Sequence, residues 1–214
     1  MAERGKADRA TGGLVRRSLF RLAGLFIAVL STRPNGAIAR DIAGSVEELR
    51  GEAFAQAERE RRNLDKAAPI FLDDEVSTGS ESRLAIRLGK GTTVRLGAQA
   101  HLKIDRSVEN AGGDLTLVSG ALLFDRAPDA EPKPLRIRSS FGLIAVRGTR
   151  FFAGPSAGVF GVFVERGSVA VSAAGTEVML HAGEGTNIAK PGDAPTPPAR
   201  WGQPRIDAAF ASTM

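Results

Sequence analysis

Residues 40–190 predict an all-β fold: two antiparallel, solenoid-like coiled sheets, or a sandwich, over one shared core. Three observations carry this. Apolar side chains alternate with polar ones at period two through most of the stretch, which puts one set on a buried face and the other in solvent. Turn residues recur at roughly the 8–12-residue spacing of sandwiches, barrels and short solenoids. A glycine-threonine step, Arg147-Gly148-Thr149-Arg150, interrupts a strand pattern, and glycine inside a strand marks a bulge or a close backbone approach.

Ahead of the β-domain, residues 1–39 read as an export signal. The apolar run Leu22–Leu30 is too short to span a bilayer, which takes about 20 residues. Before it stand Arg16 and Arg17, then Ser18, Leu19, Phe20 and Arg21, a string that resembles the twin-arginine export motif. Ala37-Ile38-Ala39 has the small-x-small form of a cleavage site and places the mature start at Arg40. Arg33, basic and close to the cut, is tolerated by twin-arginine signals. The expected location is periplasmic; the alternative of an uncleaved signal leaves the domain anchored to the inner membrane, still outside the cytoplasm.

Ile42–Val76 is ambiguous from its residues. Glu47–Arg62 is rich in Glu, Ala and Arg and favours helix by propensity. Gly44 and Gly51 punctuate its start, however, and Ala53 and Ala55 keep strand parity. Beyond it, Leu84, Ile86 and Leu88 alternate, Gly89-Lys90-Gly91 turns the chain, and Val94 to Ile104 alternate back. Asn110–Asp114 reads as a loop, Leu115–Val118 as a strand, Ser119-Gly120 as a turn, and Leu122 and Phe124 as the next strand. Ala127–Pro134, with Pro128, Pro132 and Pro134, is an exposed loop.

Leu135 to Val171 is the central stretch. Leu135 and Ile137, then Ile144 and Val146, then Val162 and Val164 repeat the strand pattern. Glu165-Arg166-Gly167-Ser168 is read as a turn before Val169 and Val171. Phe151 and Phe152 are adjacent and point to opposite faces of a regular strand. Either both faces are covered there, or a bulge turns one ring inward. Val178 and Leu180, a Gly183-Glu184-Gly185 turn and Ile188 close the domain. Residues 191–214 form a Pro-rich tail with a short helix expected at Ile206–Ala211 and Trp201 as the candidate anchor, the tail being either flexible or folded back.

Charge and composition narrow the function. The chain of 214 residues has a formal charge of +5. Residues 1–39 hold seven Lys/Arg against two Asp/Glu, while residues 40–214 hold 22 of each. The basic excess belongs to the leader, which removes the net-charge argument for nucleic acid or anionic lipid. With no cysteine there is no disulfide, thiolate metal site or thiol nucleophile. The two histidines, His101 and His181, cannot supply a three-histidine metal site. Asp73-Asp74-Glu75 is read as a charged turn in preference to a calcium site. Asp105, Asp114 and Asp125 near strand ends leave open a carboxylate hydrolase or lyase. No metal, cofactor or catalytic residue is assigned, and the chain is expected not to be an enzyme. Tyrosine is absent, which disfavours a sugar-stacking platform. Contact with protein through strand edges is the physically easier route.

The string VRGTRF at 146–151, followed by VERGSVAV at 164–171 and AGEGTNI at 182–188, resembles the FecR domain, named after the regulator of ferric-citrate uptake. Thr78-Gly79 with Ser82-Arg83, and Leu115-Thr116-Leu117 with Ser119-Gly120, fit the same pattern, so the resemblance covers roughly residues 44–190. It implies an all-β module outside the cytoplasmic membrane that senses or binds and has no established catalysis. It also implies an opening strand pair over Ile42–Val76, a hairpin with the charged tip Glu58–Arg62. Full-length family regulators combine a cytoplasmic sigma-factor-holding segment, one membrane span and this domain. The 39 residues ahead of the domain are too few for that segment, and the tail too short for the further C-terminal domain such regulators often carry. The expected role is therefore sensing or scaffolding through an unknown envelope protein or cell-surface component, without direct anti-sigma activity. A structural protein that self-associates edge to edge is the alternative. Arg147, Thr149 and Arg150 are the candidate binding residues, two guanidiniums able to grip a carboxylate or phosphate. The competing structural reading pairs both arginines with acids such as Glu165 and gives Thr149 a local hydrogen bond. Gly148, Phe151, Gly167 and Gly183 are expected to shape the motif.

Overall fold

The computed structural model describes residues 40–105, 112–131 and 133–214. Arg16, Arg17, Ala37 and Ala39 of the expected signal, and the first part of the expected loop at Asn110–Asp114, lie outside the described residues.

Alternation becomes strands in chain order: β1 (Ile42–Arg50), β2 (Ala53–Ala57), β3 (Glu60–Asn63), β4 (Pro69–Phe71), β5 (Glu75–Thr78), β6 (Arg83–Leu88), β7 (Thr92–Leu96) and β8 (His101–Ile104). They continue as β9 (Gly113–Ser119), β10 (Leu122–Arg126), β11 (Leu135–Ser139), β12 (Gly142–Ser156), β13 (Val159–Ala173), β14 (Thr176–His181), β15 (Glu184–Ile188) and β16 (Ala199–Arg200). One helix, α1 (Gln203–Ala211), follows. The main path through the sheet runs β3-β2-β5-β8-β9-β11-β12-β10-β7-β6-β1-β4.

The long strand β12 divides that path into two halves. Its first part, 142–146, pairs with β11, and its second part, 150–153, pairs with β10. β13 follows it antiparallel over its whole length, then pairs with β15 at 160–163 and with β14 at 168–173. The hairpin β12–β13 thus passes from one half of the sheet to the other. Elsewhere the chain shuttles between the halves, β5 to β6 and β7 to β8, and the parallel pair β9–β11 brackets β10 on the other half. The all-β fold over one shared core is as expected from the sequence, but the strands form one continuous sheet curled on itself and not two separate sheets.

Residues facing inward from both halves share one core, among them Val76, Leu102, Ile104 and Leu115 from one and Ile86, Val94, Phe124 and Phe151 from the other. Each large apolar side chain so buried contributes about 1.5–3 kcal/mol. A second, smaller cluster lies on the outside of β10, β12 and β13, where Leu123, Phe152 and Phe163 pack under Trp201, Ala209 and Phe210. Both faces of β12 are therefore covered, and Phe151 and Phe152 each find a core without any rotation of the strand.

The tail makes the outer layer. Trp201 stacks on Phe163 with ring centroids 5.2 Å apart, and Phe210 meets the same ring edge-on at 6.2 Å. Arg205 lies 3.5 Å above the indole and reaches back to Ser156 Oγ at 3.0 Å and Asn187 Oδ1 at 2.7 Å. Pro204 sits in the first turn of α1, where its missing N–H costs nothing. The helix starts three residues earlier than the sequence suggests.

Several local expectations are corrected. Glu165–Ser168 is not a turn between strands; it lies within β13 opposite the irregular register of β12 between Arg147 and Phe151. Val94–Ile104 is two strands on opposite halves, because Gly97–Ala100 turns the chain away from β7. Ile42–Val76 is extended, not helical, but β1 pairs with β4 and β6 and not with β2. The hairpin is β2–β3, turning at Glu58 and Arg59, so Glu60, Arg61 and Arg62 belong to a strand and not to the tip. Glu184 and Gly185 likewise open β15.

Candidate protein-binding face

At the point where β12 and β13 cross between halves, the Gly-Thr step and its partner glycine make a corner. Gly148 has φ +57° and Gly167 φ +86°. A Cβ on Gly167 would come within 2.5 Å of the Gly148 carbonyl oxygen and 2.7 Å of Thr149 Cγ2, so the two backbones approach only because this residue is glycine. Gly183 closes the next turn and donates its N–H to the Val164 carbonyl at 2.8 Å. Phe151 is fully buried, 5.4 Å from Phe124 between ring centroids. Thr149 is fully buried as well, yet its hydroxyl has no hydrogen-bond partner among the described residues, contrary to the expected local bond.

The two flanking arginines part ways. Arg150 sits opposite Asp125 in the β10–β12 register; its Nη1 donates to Asp125 Oδ2 at 3.0 Å and its Nε lies 2.7 Å from Glu165 Oε2. Arg166 takes the other Asp125 oxygen at 2.9 Å and the Arg126 carbonyl at 2.7 Å. This network fastens the corner. Arg147 points to solvent, and among the described residues no carboxylate lies within ion-pair distance of it. The pair therefore does not converge on one ligand.

Arg147 instead borders a groove of about 550 Å³ on the outer face of β12, β13 and β14. Its floor follows from the register. Ala145 stands beside Ala170, and Ala170 beside Met179, small residues that leave the surface hollow. Met179 is 49% exposed. Lys133 and Pro134 form the opposite rim.

The groove ends at β14, which among the described residues pairs with β13 alone. Other strand edges among the described residues are blunted. β3 reads Glu-Arg-Arg-Asn, β4 is three residues and opens on Pro69, and β16 is two residues. Charge, proline and shortness are the usual protections of an edge. β14 has six residues, Thr-Glu-Val-Met-Leu-His, with one acid and no proline. Sequence reasoning passed over Glu177 and Met179 and weighed His181 only as a metal ligand; the absence of lysine and proline from this strand was the available sign.

The remaining candidates are committed elsewhere. Asp74 is fully buried, bound by the guanidiniums of Arg40 and Arg62 and by the Phe71 N–H at 2.8 Å, so the Asp73–Glu75 run offers no calcium cradle. Asp114 accepts from Arg136 Nε at 2.6 Å and Arg138 Nη2 at 3.3 Å. Burial alone would raise its pKa, but the hydrogen bonds and charges of the two arginines outweigh it and hold the carboxyl below the ordinary 3.8. The Asp105 N–H reaches the Asp114 carbonyl at 3.3 Å, whereas Asp125 belongs to the corner network on β10. Asp114 and Asp125 serve as ion-pair partners. His101 lies 3.4 Å from Glu75 on the surface. Among the described residues no group of three or more His, Cys, Asp or Glu is placed to hold a metal ion, and no helix is long and apolar enough to cross a membrane.

Comparison with known proteins bears on this face. Residues 74–170, from β5 to the second part of β13, match the family model described as FecR protein. No curated protein matches the chain. Two crystal structures, at 1.65 and 2.50 Å resolution, of a protein from Parabacteroides distasonis ATCC 8503 named "putative anti-sigma factor" are similar in fold. Each is 18% identical with a TM-score of 0.54, and the match covers 64% of this chain and 64% and 63% of theirs. The chain thus spans less than two thirds of the solved structures it resembles. The corner and the groove floor up to Ala170 fall inside residues 74–170, the stretch that is similar to the FecR family.

Proposed function

We propose that the protein is an extracytoplasmic FecR-type sensing or binding module that acts by protein contact through the outer face of β12, β13 and β14. The observation that carries the reading is the juxtaposition at that face: Arg147 with no acid in ion-pair reach among the described residues, a hollow floor of Ala145 and Ala170, and a six-residue strand edge with no other described strand on it. Backbone donors and acceptors along an open edge supply affinity, and the neighbouring hollow supplies selectivity. The FecR match supports a regulatory class, and so does the name of the solved neighbours. The tethered acids favour fastening over acid–base chemistry, so no reaction is assigned. Export through the twin-arginine-like leader belongs to the same reading, with the domain periplasmic, and free or inner-membrane anchored according to whether the leader is cut at Ala39.

In-cell photocrosslinking tests the face. A crosslinking side chain at position 147 is expected to capture a discrete protein, while one at Glu81, exposed in the turn before β6, captures none. Equal labelling from both positions would remove the reading. Fractionation of cells expressing the full chain tests the location, with recovery in the cytosol as the adverse result.

A further inference from the structure

The open edge of β14 is complementary to itself. Its outer face presents Glu177, Met179 and His181, all exposed, and its inner face carries half-buried Val178 and buried Leu180. The His181 N–H is bonded at 2.9 Å to the Glu184 carboxylate and not to β13. Backbone groups alternate in direction along a strand, so this bond marks 177, 179 and 181 as the residues whose N–H and C=O groups face the free edge.

An antiparallel copy of the strand, related by a two-fold axis through Met179, matches every side-chain row, with the His181 N–H passing from its Glu184 carboxylate to the Glu177 carbonyl of the second copy. Met179 faces Met179 of the second copy as the pair that exchanges both backbone bonds. Val178 faces Leu180, extending the core-side apolar row across the junction. Glu177 faces His181, acid against imidazole, and the symmetry makes this contact twice. A shift of one residue in either direction breaks all three matches, moving Met179 against inward-facing side chains and Glu177 against an apolar neighbour. The half-exposed methionine is then covered, and the two Ala145–Ala170 grooves meet across the axis. We infer that the partner at this edge is a second copy of the same chain, joined by β14 to β14 in the register that sets Met179 against Met179. The inference rests on the reading of this face as a contact surface and names its occupant; an isologous pairing of this kind closes at two subunits.

The chain contains no cysteine, so single-cysteine variants of the full chain report the register directly. A residue pair that exchanges both bonds stands about 5.5 Å apart between Cα atoms, inside disulfide range. Met179→Cys is expected to give a covalent dimer under mild oxidation. Val118→Cys, equally exposed at 52% but on β9, is expected to stay monomeric on denaturing gels. Sedimentation equilibrium supplies the second arm. His181→Glu should raise the dimer dissociation constant about tenfold by setting two carboxylates opposite one another, Glu177→Lys should raise it by removing the acid–imidazole contact, and the double variant, which sets Lys against Glu, should restore it. Rescue by the double variant separates pairing from any loss of folding. A monomer at every concentration, crosslinking at 179 no greater than at 118, or a double variant no better than the singles would each overturn the dimer. If capture from position 147 in cells persists under those results, the contact face stands with a different partner; if it also fails, both readings fall.

Discussion

A three-residue spacing gives Arg147 and Arg150 opposite fates, and the cause is which acid each can reach. Arg150 falls opposite Asp125 once β10 and β12 are in register, and Glu165 comes from the far strand of the hairpin. Arg147 precedes the corner and meets Ser168 and His181 in its row instead. The sequence shows two equivalent guanidiniums because the acids that distinguish them are brought close only by pairing across the sheet. Phe151, by contrast, is legible: an apolar ring at an inward position beside a bulge. Phe151→Ala is expected to cost about 3–5 kcal/mol in a urea titration, the range for removing a buried aromatic ring; a loss below about 1 kcal/mol would contradict its place in the core.

Asp114 makes a prediction at the same scale. Its folded pKa is depressed below 3.8 by Arg136 and Arg138, so its contribution is complete above the unfolded value and disappears as pH falls through the folded one. Both arginines are about half exposed, which keeps the effect modest. Urea midpoints measured from about pH 5 downward should fall, and Asp114→Asn should flatten part of that fall. An identical pH profile in the variant would mean that the ion pair does not discriminate the folded state.

Among the elements, alternation locates strands better than it locates their ends. Leu84-Ile86-Leu88 and Leu135-Ile137 are inward-facing rows in the structure as the period suggests. The Glu-Arg-Gly-Ser string misleads because a turn and a bulge draw on the same residues; what makes it a bulge is its Gly167 packed against Gly148, which lies 19 positions earlier in sequence. Ile42–Arg62 shows the converse, a helix-favouring composition held extended by neighbours on both sides of β1. The tail is the element whose seat is hardest to foresee, since its floor is two glycines on other strands. A Cβ at Gly161 would lie 2.6 Å from the Trp201 ring, and one at Gly185 would overlap the indole nitrogen and the neighbouring carbon. Gly185→Ala is therefore expected to cost about 1–3 kcal/mol by overpacking and to shift the emission of the single tryptophan to longer wavelength as the ring is lifted into water. Unchanged emission together with an unchanged melting temperature would show that the indole is not seated there.

For the whole molecule, the decisive feature is that two 15-residue strands belong to both halves at once. Neither half can lose β12 or β13 without exposing the shared core, and the outer cluster is bolted to the reverse side of the same strands through Phe152 and Phe163. Separate unfolding of one half would break the hairpin at its Gly148–Gly167 corner and leave Phe124 and Phe151 half covered. The same construction ties the tail to the core, because Arg205 bridges β12 and β15 through Ser156 and Asn187. Unfolding is accordingly expected to be a single cooperative transition. Trp201 fluorescence reports the outer cluster, and far-UV circular dichroism reports the sheet. The two should give coincident urea curves with the same midpoint and slope. A fluorescence midpoint clearly below the dichroism midpoint would show that the tail and its cluster form a separate unit, with the β-halves carrying the remaining stability without it.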